Sequence, residues 1–71
     1  MGRMDICNIV GTNIRMHRTR LRLSQEELAF RASIGRSYLS QIENGKKNIT
    51  ILMLLDLSKA LGVEPVQLLG T

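Results

Sequence analysis

Aromatic side chains are nearly absent: the 71-residue chain holds one Phe, one Tyr and no Trp. Its core must be packed from Leu, Ile, Val, Met and Ala, a mixture that favours helices over a β-sandwich. Proline occurs once and cysteine once, so no internal disulfide can form. Long apolar runs are missing as well. The longest, Ile51 to Leu55, stops at Asp56, far short of the ~20 residues that a membrane span needs. The opening MGRMDICNIVGTN lacks the uninterrupted apolar segment of a secretory signal. With a single thiol, this leads us to expect a cytoplasmic protein in a reducing compartment and no association with a membrane.

What remains is small and basic. At 71 residues we expect one domain rather than a multidomain enzyme, and 44% apolar residues suffice for one modest core. The net charge is +4, unevenly distributed. Residues 15–47 carry eight basic and three acidic groups, whereas Arg3 and Lys59 stand against Asp5, Asp56 and Glu64 elsewhere. One half of the domain therefore suits a polyanion, although such a face can also be merely solvated.

Punctuation along the chain predicts five short helices after a loose tail over residues 1–6, with residues 7–71 forming one unit. Val10, Ile14, Arg18 and Leu21 share one face of a helix over 8–21. Ser24 and Glu27 have capping-box spacing, flanked by Leu23 and Leu28, so a second helix starts at Gln25 and buries Leu28, Ala29 and Ala32. After a short turn through Ser33, Ile34 and Gly35, a third helix runs over 36–44, directs Leu39 and Ile42 inward and is closed by Gly45. Thr50 caps a fourth helix, whose Leu54, Leu57 and Leu61 recur at helical spacing up to Gly62. Pro65 opens a fifth, over 66–69.

Two helices joined by a turn of three or four residues have the arrangement of a helix-turn-helix, whose second helix enters the major groove. At ~100° per residue, Arg36, Ser37, Ser40, Gln41 and Asn44 form one stripe opposite Leu39 and Ile42. Every member of the stripe hydrogen-bonds and none has a long apolar body. Arg can bond both acceptors of guanine, Gln can pair with adenine, and Ser lets the backbone come close.

The runs SQEELA at 24–29, YLSQIENGK at 38–46 and LSKALGV at 57–63 resemble the phage repressor and Cro helix-turn-helix family over roughly residues 10–70. Gly35-Arg36-Ser37-Tyr38, followed by Lys47-Asn48-Ile49-Thr50, resembles in particular the controller proteins of restriction-modification systems. The resemblance implies an all-α domain of the lambda-repressor type and a transcriptional regulator, activator or repressor, that binds double-stranded DNA. It implies that Gln25 bonds a phosphate and supports the third helix, that Arg36, Ser37 and Gln41 read bases, and that Tyr38 faces the DNA. It further implies that Asn44, Lys46, Lys47 and Asn48 hold the sugar-phosphate backbone, and that Arg18 and Glu43 form a buried structural ion pair. Tyr38 has a second reading as cover for the edge of the core, and Lys46 and Lys47 as solubilising charges. Ser33 stands where many members have glycine.

Leu52 and Leu55 lie on a flank too apolar for a wet surface. With Val66 and Leu69 they make a candidate dimer interface, the rival reading being that they pack beneath the N-terminal segment. A two-fold dimer would place two reading helices about 34 Å apart and match a roughly palindromic operator. His17 has no second ligand and Cys7 no histidine partner, so we expect no metal, no cofactor, no small-molecule effector and no enzymatic activity. The alternative function is a protein-interaction adaptor, antitoxin-like or coactivator-like, that keeps the fold without reading a DNA sequence.

Overall fold

The structure is a computed structural model, described here for residues 5–70; of the expected tail, residues 1–4 lie outside this range. Asp5 caps α1 (Ile6–Arg20), its carboxylate accepting from the Asn8 backbone amide at 3.3 Å and from Asn8 Nδ2 at 2.8 Å. The helix thus begins two residues before the expected position 8. It also ends at Arg20, so Leu21 leaves the buried stripe and is half exposed, while Leu23, beyond the turn, is buried in its place.

In α2 (Gln25–Arg31) the capping box is complete: the Glu27 amide donates to Ser24 Oγ at 3.0 Å and the Ser24 amide to Glu27 Oε1 at 2.8 Å. The bond from the Ser24 backbone, then that from its hydroxyl, holds the Glu27 carboxyl below the usual carboxylate range. The helix closes on Ser33, whose φ of 59° is left-handed although it is not glycine. Its amide donates to the Phe30 carbonyl and that of Ile34 to the Ala29 carbonyl, satisfying two orphan acceptors of the helix end.

α3 (Arg36–Glu43) follows, and Gly45 at φ 75° stops it with the same pair of bonds, to Ile42 and Gln41. Thr50 accepts from the Met53 amide at 3.0 Å and opens α4 (Ile51–Leu61). The expected fifth α-helix over 66–69 is instead a 3₁₀ turn, Pro65–Leu68. The Gln67 amide bonds the Glu64 carbonyl and the Leu69 amide that of Val66, each three residues back, the tighter winding common in short connecting pieces. Asn13 ties this turn to α1, its Nδ2 donating to the carbonyls of Leu68 at 3.0 Å and Gly70 at 2.6 Å.

One core joins all the elements, with Ile14, Leu28, Leu39, Ile42, Leu57 and Leu68 essentially without exposure. Gly11 sets how closely α1 crosses α3. A Cβ there would collide with the backbone carbonyls of Ile42 and Glu43, so only glycine permits the approach that brings both helices' polar side chains together.

Candidate nucleic-acid interface

The α1–α3 crossing has a carboxylate at its centre. Glu43 is 3% exposed, and three side chains converge on it through four hydrogen bonds. Arg18 binds both oxygens, Nε at 2.7 Å and Nη2 at 3.0 Å, and sends Nη1 to the Leu23 carbonyl at 2.8 Å, which also pins the α1–α2 turn. Gln25 Nε2 donates to Glu43 Oε1 at 3.0 Å, and Arg15 Nε reaches the same oxygen at 3.4 Å. Burial pushes the Glu43 carboxyl up, but the bonds from Arg18 and Gln25, the charge of Arg18 and the bond from Arg15 together outweigh it and hold it below the usual range. Among the described residues no buried side-chain polar atom lacks a partner.

This hub extends outward through Gln25. With Nε2 committed to Glu43, its Oε1 turns towards α3 and accepts from Arg36 Nη1 at 3.4 Å. The first residue of α2 thus steadies the first of α3, in keeping with the support that the family resemblance implies. From Arg36 the outer face of α3 runs through Ser37 and Gln41 to Asn44, all exposed, with Ser40 half-buried beside them. Tyr38 is half-buried and packs against the core. Lys46, Lys47 and Asn48 are exposed on the loop between α3 and α4, and Asn48 Oδ1 accepts from the Cys7 thiol at 3.1 Å, tying that loop to the start of α1.

The structure therefore brings Gln25, Arg36, Ser37, Gln41 and Asn44 onto one side of the α2–α3 pair, with the lysine loop following the helix end. Sequence reasoning missed Arg15, whose Nη2 donates to Asn44 Oδ1 at 2.8 Å. On a helix surface such an arginine has the same local pattern as any solvated one. It also missed the exposure of Phe30, at 85% the barest large apolar side chain described.

Leu52, Leu55, Val66 and Leu69 are all exposed, Leu52 by 72%. Ile51 and Ile6, not singled out from the sequence, lie bare as well. Ile6, Ile51, Leu54 and Leu69 line an apolar groove of about 200 Å³ between the starts of α1 and α4. Among the described residues no cluster of His, Cys, Asp and Glu is assembled to hold a metal ion, and no helix is long and apolar enough to cross a membrane.

A short turn between two helices, the second presenting polar side chains over a buried brace, defines a helix-turn-helix DNA-binding domain. The family model described as helix-turn-helix matches residues 14–68, and the chain belongs to that family of DNA-binding transcriptional regulators. It is 40% identical over 65 residues to an uncharacterized HTH-type transcriptional regulator of Sinorhizobium fredii, covering 92% of this chain and 84% of that protein. Its fold is similar to that of the restriction-modification controller protein C.AhdI from Aeromonas hydrophila, with a TM-score of 0.85 and 39% identity over 87% of this chain and 94% of that one. It is also similar to the controller protein C.Esp1396I, solved as a tetramer in complex with its natural 35 base-pair operator, with a TM-score of 0.83 and 30% identity over 93% and 87% of the two chains.

Proposed function

We propose that this chain is a transcriptional regulator of the controller type that acts in the cytoplasm as a homodimer on a roughly palindromic operator. The observation that carries the reading is the outer face of α3: Arg36, Ser37, Gln41 and Asn44 are exposed together, and the Glu43–Gln25–Arg36 chain braces the first of them. Arg36 and Gln41 read base edges in the major groove, and Ser37 permits close approach. Gln25, Asn44, Lys46, Lys47 and Asn48 contact the sugar-phosphate backbone and set the register, while counterion release makes the affinity salt-sensitive. Tyr38 covers the core edge with its ring and lies beside the DNA-facing stripe. The exposed apolar side chains of Leu52, Leu55, Val66 and Leu69 pair two copies, in keeping with an assembled relative on its operator.

The test compares two single variants on an operator and on a scrambled duplex. Arg36→Ala should cost about 1–3 kcal/mol on the operator, relax selectivity at one base pair per half-site and leave scrambled DNA nearly unaffected. Lys46→Ala should weaken both duplexes alike and reduce the salt slope by about one unit. Equal losses for Arg36→Ala on both duplexes would remove its base-reading role. Absence of any operator preference in the parent protein would favour the adaptor reading.

A further inference from the structure

The α1–α3 seam carries a basic side chain that the buried ion pair does not require. Arg18 already grips both oxygens of Glu43, and Gln25 adds a further bond. Arg15, one turn earlier on α1, meets Glu43 only at 3.4 Å and keeps 49% of its side chain in solvent. A carboxylate matched by a two-point guanidinium needs no second cation, so the charge of Arg15 is surplus to the fold. Its shorter bond goes to Asn44 Oδ1, at 2.8 Å.

That bond orients the Asn44 amide. A guanidinium only donates, so the amide oxygen must face Arg15 and the Nδ2 group must turn away from it. Asn44 is exposed, and it caps the end of α3 just before the lysine loop. The result is a half-exposed cation beside an amide whose donors point outward, an arrangement that complements an anionic oxygen. When a helix reads the major groove, the segment that leaves it passes the DNA backbone, and the anion available there is a phosphate.

We propose that Arg15 and Asn44 form a phosphate clamp on the α1–α3 seam, Arg15 supplying the charge and orienting the amide that supplies the second hydrogen bond. This rests on the DNA-binding reading above.

The experiment measures affinity for a selected operator and a scrambled duplex across a salt series, for the parent protein, Arg15→Gln, Arg15→Lys and Asn44→Ala. Arg15→Gln should weaken both duplexes by the same factor and reduce the slope of log K against log salt by about one unit. Arg15→Lys should keep the parent slope with a smaller loss of affinity. Asn44→Ala should weaken both duplexes, and in combination with Arg15→Gln it should lose less than the product of the two single factors. Because Glu43 retains Arg18 and Gln25, Arg15→Gln should still melt cooperatively. An unchanged salt slope in Arg15→Gln overturns the clamp while operator preference in the parent leaves the regulator reading standing. Loss of cooperative melting assigns Arg15 to the fold and also overturns the clamp, and a parent that binds no DNA overturns both readings.

Discussion

Glu43 is buried as a carboxylate, which is stabilising only while its partners stay in place. Its carboxyl lies below the usual range in the fold, so its contribution is fully present above the unfolded value near about 4.3 and is lost as the pH falls through the folded value. Urea unfolding should therefore show stability declining below about pH 4. Glu43→Gln should lower stability at neutral pH by about 3 kcal/mol, because Arg18 is left without its counter-charge, and should flatten the acid decline. An acid decline as steep as the parent's would place the titration elsewhere. The Arg18–Glu43 pair was legible only through the family resemblance, since 25 residues of separation carry no local signal. The contact of Arg15 with Asn44 was not legible at all, and that of Gln25 with Arg36 only as the support for α3 that the resemblance implies. They depend on how two helices cross, which no single stretch of sequence encodes.

At the scale of elements, what is legible in the sequence is the chemistry that is local. The Ser24–Glu27 box, the Thr50 cap and the Gly45 and Gly62 stops each depend on residues within one turn, and each stands where the pattern placed it. Asp5 as the cap of α1 went unread, and the last helix proved to be a 3₁₀ turn, since short pieces at the end of a chain of helices readily take the tighter winding. Ser33 adopts the left-handed conformation that the missing glycine leaves open, at a cost of about 1–2 kcal/mol for an L-residue. Gly11 carries a tertiary constraint that helical periodicity does not show. Gly11→Ala should force α1 off the Ile42 and Glu43 carbonyls and cost about 1–3 kcal/mol, measured as a drop in denaturation midpoint. Operator binding should suffer as well, because Arg18 and Arg15 would move away from α3. A variant as stable as the parent would mean that the crossing yields without cost.

For the whole molecule, two surfaces divide the work. The basic half presents α3 and its loop, and a second, apolar surface exposes Leu52, Leu55, Val66 and Leu69 with Ile51 and Ile6, its groove bordered by Lys47 and Asn48 of that loop. The exposure of Leu52 and Leu55 was legible because they break the amphipathic pattern of α4, whereas that of Ile6 was not, the residue being assigned to a tail. Leu52→Glu with Leu55→Glu should halve the sedimentation mass of the dimer while the fold persists, because both side chains are exposed in the single chain. An unchanged mass would move the interface elsewhere. A monomer would bind one half-site and lose the affinity that a dimer gains by engaging two at once. The most direct measurement of the account as a whole is the selection of binding sites from random duplex DNA. It should yield a two-fold symmetric motif whose half-sites lie about one helical turn apart, bound far more tightly than scrambled DNA. Only weak, motif-free binding that vanishes at moderate salt would contradict it and leave α3 as a surface for protein.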